Sequence, residues 1–314
     1  MRPTVALVIL NWNNPEDTLA CLRSVAKLDN PLLRVIVVDN GSTDDSVGRV
    51  RNEHPSIALI EIGANLGYAA GNNVGSRFAL SYDVDYVCII NNDVIVTPDF
   101  LAPMVDAMAA NDVGVITPLV ALMAKPDTIW ALGSAVDRKT GIVTRQHAGQ
   151  EVAVLQPHPP FDVDIASGAA MLIKRAVLER VGYLDEAFYL YYEETDWCLQ
   201  VRRAGYRILA VPASVVYHRV SATLGQESPI TDYYMLRNHL RFISRHWSGS
   251  ARWQLISQTV LRGLITVAAY TVKPRGGQRL PSRNARLLAL RDAILGRWGK
   301  AGPDVEMVWS LTRR

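Results

Sequence analysis

The chain has 314 residues, 49% hydrophobic and 20% charged, enough to bury a sizeable core in one large α/β domain with an appendage, or in two modest domains; a disordered chain is excluded. Its three cysteines, Cys21, Cys88 and Cys198, are odd in number and lack CxxC spacing, which argues against a disulfide framework or zinc cluster and fits a reducing cytoplasm. The net charge of +3 is uneven: residues 251–314 carry 12 Lys and Arg against Asp292, Asp304 and Glu306, a balance of +9 that leaves −6 for the first 250 residues.

A basic tail behind an acidic body marks an anionic partner such as a membrane leaflet or a lipid-linked substrate, or else a solvated charged face. The first apolar run is shorter than a signal-peptide core and lacks a cleavage site, so no secretion signal is expected. From there, short apolar runs alternate with amphipathic stretches of helix length, the pattern of βαβ units. Val5 to Leu10 is predicted as a buried strand, Pro15 to Leu28 as a helix with proline in its first turn, and Val35 to Val38 as a second strand. A helix over Thr43 to Arg51, a strand over Ile57 to Ile62, a helix over Tyr68 to Leu80 and a strand over Tyr86 to Ile90 follow. The expectation is an open, largely parallel sheet.

Ligands bind such sheets at the carboxyl ends of the strands, which points to the loops Asn11 to Asn14, Asp39 to Ser42, Ala64 to Gly67 and Asn91 to Asp93. Carboxylates and amides there suit a base and ribose, with Asp39 able to accept from the imide N–H of uracil or thymine. The same residue types also favour tight turns and helix caps. No GxGxxG and no GxxxxGK[ST] motif is present, so a dinucleotide site or P-loop lacks its phosphate cradle. A metal is the usual substitute: Asp93, just past an apolar strand, could bind Mg²⁺ or Mn²⁺ together with a diphosphate.

Further on, Tyr189-Leu190-Tyr191-Tyr192-Glu193-Glu194-Thr195-Asp196-Trp197 places three carboxylates in four residues behind an aromatic run. A helix from Glu193 to Ala204 would put Glu193, Glu194 and Asp196 in its first turn, where the macrodipole alone favours acids by about 0.3–1 kcal/mol each. Tyr192 and Trp197 are candidate acceptor contacts. His218 ends the strand-like Ser214 to Tyr217 and is a candidate metal ligand, although a lone histidine is more often structural. Asp232 to His246 is predicted helical. Trp253 to Val272 is apolar but broken by Arg262 and Gly263, too polar for a spanning helix and suited to an interfacial one, with Arg275 to Arg297 adding positive charge. Packing on the catalytic domain or on a second copy is the alternative.

Seven runs in order carry a resemblance: Val8 to Asn13, Val37 to Asp44, Asn65 to Asn73, Asn91 to Asp93, Ser167 to Met171, Gly182 to Phe188 and Glu193 to Trp197. Over Thr4 to about His246 the chain resembles a family 2 glycosyltransferase of the GT-A fold, in its rhamnosyltransferase-like branch. The resemblance implies an α/β fold, a Rossmann-like mixed and mostly parallel sheet flanked by helices, with a C-terminal helical extension. Residues 1–220 would form the catalytic domain, with a nucleotide half at about 1–97 and an acceptor half at about 98–220, and 221–314 a basic, mainly helical extension.

It also implies roles. Asn11, Asn13, Asp39, Asn40, Asn65, Gly67 and Asn92 would bind the nucleotide, Asp39 recognising the base. Asp93 is similar to the last residue of the DXD metal motif, and His218 to the histidine that completes the metal site in related galactofuranosyl and GalNAc transferases. Glu194 holds the place of the catalytic base in the ED motif, with Glu193 and Asp196 in support. Two departures stand out: the DXD is Asn91-Asn92-Asp93, with one carboxylate, and the base is Glu rather than Asp.

The implied activity is inverting, metal-dependent transfer of L-rhamnose from dTDP-rhamnose to a saccharide or lipid-linked glycan in cell-surface polysaccharide synthesis. It would take place in the cytoplasm or on the inner face of the plasma membrane, in a monomer or homo-oligomer and without nucleic acid. The alternatives are a UDP-sugar-dependent transferase of galactofuranosyl, GalNAc or GlcNAc type, or a catalytically silent nucleotide-sugar-binding scaffold. A nucleotidyltransferase would need a basic Gly-rich loop after the first strand, and Asn11-Trp12-Asn13-Asn14 is not one.

Overall fold

Val5 to Ile9 are all buried, as befits a parallel strand covered on both faces, and Asn11 closes the strand with a buried amide. A computed structural model describes residues 3–28, 32–156, 158–220, 228–272 and 279–310. In chain order the elements begin β1 (Val5–Asn11), α1 (Pro15–Val25), β2 (Leu33–Asp39), α2 (Ser46–Glu53), β3 (Ala58–Glu61), α3 (Gly67–Ala79), β4 (Tyr86–Asn91), β5 (Val94–Val96) and α4 (Leu101–Ala107). Next come β6 (Val113–Leu122), β7 (Lys125–Ala131), β8 (Ser134–Val136), β9 (Val143–Arg145), β10 (Phe161–Asp162), β11 (Ala170–Lys174), α5 (Arg175–Val181), α6 (Glu193–Arg203) and β12 (Arg207–His218). The chain ends with α7 (Pro229–His246), α8 (Gly249–Val272), α9 (Arg279–Ile294) and α10 (Pro303–Ser310).

The described residues divide into two compact units. The first holds residues 1–137, 142–184 and 194–220; the second takes 138–141, 185–193 and 221–314. Two short stretches therefore group with the C-terminal residues, where the sequence predicts one boundary at 220.

In the first unit the sheet runs β10-β12-β6-β11-β4-β1-β2-β3, with β5 on β12 and β7 on β6. Strands β3, β2, β1 and β4 are parallel, β11 is antiparallel between β4 and β6, and β12 runs parallel to β6. The crossovers step from β1 to β2 to β3 and then return to β4 on the other side of β1. That reversal opens a crevice at the carboxyl ends of β1 and β4, where α/β sheets bind ligands.

Local chemistry explains the helix ends. Asn14 caps α1 by accepting from Asp17 N at 3.3 Å, Pro15 follows, and Glu16 and Asp17 occupy the first turn. The helix stops at Val25, short of the predicted Leu28, because Lys27 and Leu28 N–H turn back to Ser24 and Val25 carbonyls in tighter three-residue steps. Helix α2 starts three residues late because the Asp44 carboxylate takes Ser46 N at 3.1 Å and forms a turn first. Helix α3 lies very close to the sheet: a Cβ at Gly75 would fall 2.3 Å from Val8 Cγ1, and one at Gly71 would fall 2.5 Å from Leu10 Cδ1.

The second unit is built on α7, whose Ser228 cap accepts from Thr231 N at 3.3 Å ahead of Pro229. Its core joins Tyr233, Tyr234 and Leu240 with Ala285, Ala289 and Leu290 of α9 and Val305 of α10. Inside it Arg237 is fully buried, its guanidinium over the Tyr233 and Tyr234 rings and 3.1 Å from the Tyr233 hydroxyl, which in turn donates to Asp292 at 2.7 Å. Helix α8 buries Leu255, Thr259 and Gly263, the last set close against Leu236, whose Cδ2 a Cβ would approach to 3.3 Å. By length and composition alone α8 is long and apolar enough to cross a membrane, and equally to lie in its interface as the sequence predicts. The Gly263 counted as a break is a packing contact. Of the basic stretch predicted from Arg275, that residue lies outside the described residues.

Candidate functional site

The four strand-end loops are wired to one another. Asn11, 1% exposed, donates from Nδ2 to Asp39 Oδ1 at 2.9 Å and to Ser42 Oγ at 3.1 Å, and accepts at Oδ1 from Thr18 Oγ at 2.7 Å. The second oxygen of Asp39 takes Ser42 N at 2.9 Å. Asn40 donates to Asn65 Oδ1 at 3.1 Å and accepts from Leu66 N at 3.0 Å, while Asn65 also takes Gly67 N at 2.9 Å. Asn13, exposed and at φ 50, accepts from Thr43 N at 2.7 Å, and Asn92 reaches Thr18 Oγ at 3.0 Å. The structure thus brings all seven predicted nucleotide residues to one end of the sheet. The Asp39 carboxylate is 3% exposed and already holds two donors, so it sets the shape of the loops and has acceptor capacity beyond those two bonds.

At the same end, β5 turns back on β12 and pairs Val94 with His218, which brings Asp93 to the histidine. His218 Nε2 lies 3.0 Å from Asp93 Oδ1, with side chains 7% and 12% exposed. The imidazole meets the Trp130 ring edge-on at 5.1 Å. Asp93 Oδ1 and His218 Nδ1 are buried without a well-formed hydrogen bond among the described residues. One carboxylate and one imidazole with unused valence fit a divalent cation that takes its other ligands from a diphosphate. Among the described residues no group of three His, Cys, Asp or Glu could hold a metal alone.

The three carboxylates of α6 separate by burial. Glu193 is 4% and Asp196 0% exposed, with Asp196 taking Gln200 Nε2 at 2.6 Å, whereas Glu194 is half-buried. Gly168 connects Glu194 to the sheet end. A Cβ there would lie 3.6 and 3.7 Å from Glu194 Cγ and Cδ, and 3.5 Å from the Tyr68 hydroxyl. That hydroxyl donates to Gly168 O at 2.6 Å, and the next residue, Ala169, accepts from Asn91 N at 3.0 Å. Glu194 is therefore placed beside the turn that abuts Asn91-Asn92-Asp93.

Trp197 does not serve as an acceptor platform: it is 1% exposed, and its ring N–H donates to Gly182 O at 2.8 Å inside the core. Its place in the helix, four residues after Glu193, turns it inward. The Tyr192 ring stacks on His239 at 5.4 Å and packs beside Phe242. Burial pushes the thiols of Cys88 and Cys198 up to about 12, and all three cysteines are free, so none is a nucleophile at neutral pH.

Some residues escape sequence reasoning. Thr18 joins the first and fourth loops, and Arg219 ties the end of β12 to α1 through Asp17 at 2.9 Å while its N–H donates to the Asp93 carbonyl at 3.1 Å. Tyr68 sits in a quoted family run, yet its hydroxyl contact spans 100 residues of sequence.

The sequence profile described as Glycosyl transferase family 2 matches residues 6–182. The low-salt glycan biosynthesis hexosyltransferase Agl10 of Haloferax volcanii is 26% identical over 215 residues, 66% of this chain and 64% of its own. The N-acetylglucosaminyl-diphospho-decaprenol L-rhamnosyltransferase of Mycobacterium tuberculosis is 25% identical over 298 residues, 85% of this chain and 94% of that one. The dTDP-rhamnosyl transferase RfbF of Shigella flexneri is 22% identical over 249 residues, covering 76% and 79%. Among solved structures, GalNAc-T7 with UDP, GalNAc and Mn2+ superposes with a TM-score of 0.64 at 17% identity, over 80% of this chain and 49% of that one. The chain spans about two thirds of the Haloferax relative and half of GalNAc-T7. The structural likeness shows the GT-A fold, and the profile covers more than half of the chain, which belongs to glycosyl transferase family 2 and is a glycosyltransferase.

Proposed function

We propose that the chain is an inverting transferase that moves L-rhamnose from dTDP-rhamnose to a saccharide or lipid-linked glycan in cell-surface polysaccharide synthesis. The observation that carries this is the position of Glu194, the acid of the cluster left accessible, beside Gly168 at the sheet end that holds Asp39 and Asp93. Glu194 would take the proton of the acceptor hydroxyl as it attacks the anomeric carbon. Asp93 and His218 would hold a divalent cation, which supplies charge neutralisation for the leaving diphosphate; the imidazole favours Mn²⁺ over Mg²⁺. Asp39, Asn40 and Asn65 would seat the nucleoside. The donor follows from the rhamnosyl transfer named for the mycobacterial and Shigella relatives.

A donor panel tests this, with melting temperature followed with and without Mn²⁺ and nucleotide release measured in parallel. A donor at 100 times its dissociation constant adds about 2.7 kcal/mol to stability. dTDP-rhamnose should raise the melting temperature and release dTDP. A response to UDP-sugars instead would replace the donor, and binding without release would leave a silent scaffold.

For location, we propose a peripheral seat on the inner leaflet. Trp253, Leu261, Leu264, Ile265 and Val272 are 45–77% exposed along α8, in a chain segment with a strong positive balance. The protein should cosediment with phosphatidylglycerol vesicles and not with phosphatidylcholine ones, and Leu261→Glu with Ile265→Glu should abolish binding. A concentration-dependent dimer disrupted by the same pair would assign the face to a second copy.

A further inference from the structure

Three half-buried residues of the first unit meet beside the sheet end, each between buried neighbours: Tyr68 between Gly67 and Ala69, Gly168 between Ser167 and Ala169, and Glu194 between Glu193 and Thr195. Between them is a space the size of a methyl group. A Cβ on Gly168 would lie 3.5 Å from the Tyr68 hydroxyl oxygen and 3.6 and 3.7 Å from Glu194 Cγ and Cδ, all ordinary van der Waals distances.

The frame of this space is fixed. Tyr68 lies in the first turn of α3, which Gly71 and Gly75 seat against Leu10 and Val8 of β1, and its hydroxyl donates to Gly168 O at 2.6 Å. The turn that carries Gly168 is pinned as well: Ser167 N donates to Thr117 Oγ1 at 3.1 Å, Ala169 N to Ser167 Oγ at 3.3 Å and Ala170 N to Ser167 O at 3.2 Å. Gly168 is not at positive φ, and its Cβ would clash with nothing, so neither backbone conformation nor packing requires a glycine there. The remaining use of glycine is to let a ligand come close to the backbone.

We propose that this space seats the carbinol carbon of a saccharide acceptor, and that Tyr68 binds the hydroxyl next to the one that attacks. The proposal rests on Glu194 as the base, whose carboxylate carbon borders the space. The attacking oxygen bonds to the anomeric carbon as the bond to the diphosphate breaks; the electron pair leaves with the diphosphate and the proton passes to Glu194. Tyr68 gives its own proton to Gly168 O, so it meets a sugar hydroxyl as an acceptor. A vicinal diol presents one hydroxyl to Glu194 and the other to Tyr68. Water is small enough to enter beside an added methyl group, so the seat acts on transfer more than on hydrolysis of the donor.

The test uses the full chain with Mn²⁺, dTDP-rhamnose or the UDP-sugar that replaces it, and methyl glycosides of glucose, galactose, mannose and N-acetylglucosamine. Transferred and hydrolysed sugar are counted separately. Gly168→Ala should keep the wild-type melting temperature and lower acceptor kcat/KM relative to hydrolysis by about tenfold or more, the usual worth of one misplaced methylene in a binding site. Nucleoside diphosphate affinity in a calorimetric titration should stay within twofold. Tyr68→Phe should raise acceptor KM several-fold with a smaller change in kcat, and the loss should shrink on the glycoside that lacks the neighbouring hydroxyl. A wild-type ratio of transfer to hydrolysis in Gly168→Ala, or an equal loss of both reactions, would overturn the seat alone. Hydrolysis by the wild type without transfer to any glycoside would overturn the saccharide acceptor. Absence of nucleotide release from every donor would instead remove the transferase reading, and the seat with it.

Discussion

Replacing Glu194 with Gln is expected to cut kcat by about 10²–10⁴-fold, the usual worth of a positioned general base, while donor affinity in a calorimetric titration with Mn²⁺ stays unchanged. The amide has the shape of the carboxylate and cannot take a proton. Because the base acts on the acceptor hydroxyl in the transition state, its loss should appear in kcat and not in donor binding. Retention of wild-type turnover would move the role elsewhere. Glu193 and Asp196 are the acids next to it, but at 4% and 0% exposed neither could meet an acceptor without a rearrangement of the first turn of α6.

Asp93→Ala should act on the other half of the reaction. It removes the one carboxylate of Asn91-Asn92-Asp93 and leaves the His218 imidazole alone to hold the cation beside the diphosphate. Loss of residues that merely orient metal ligands costs 10–100-fold in metal affinity, so removal of a ligand should weaken Mn²⁺-dependent donor binding by about 100-fold or more. The titration that checks this compares donor affinity with Mn²⁺ and with a chelator: wild type should show a large difference, Asp93→Ala almost none. Equal metal dependence in the two proteins would take Asp93 out of the metal site.

Much of the nucleotide half was legible in the sequence. Strands β1 and β4 and the second half of β2 are buried on both faces and so appear as unbroken apolar runs, and the switch-point rule then selects their carboxyl-end loops without knowledge of strand order. Residues 98–192 were far less so. Strands β8, β9 and β10 have only two or three residues each, too short for periodicity, and the bulge between Val211 and Val215 disturbs the register of β12. The meeting of Asp93 with His218 depends on β5 pairing with β12 across more than 100 residues, which local pattern does not encode. Trp197 was misjudged because an aromatic beside acids suits a sugar platform and a core position equally well; its burial is decided by tertiary packing. The left-handed backbone of Tyr189, Tyr191 and Tyr192 gave no signal at all, since tyrosine is not a residue type that announces positive φ.

The glycine contacts of α3 have a bearing on how donor preference can change. With Gly71 and Gly75 seated against Leu10 and Val8, the helix that begins at the Asn65–Gly67 loop has no slack toward the sheet, and Asn11, Asp39 and Asn40 are interlocked beneath it. A substitution in that floor disturbs every loop at once. Asn13 and Thr43 stand exposed at its rim, bonded mainly to each other, so if these loops seat the nucleobase as proposed, a lineage or a designer altering the base accepted has its freedom at those two positions.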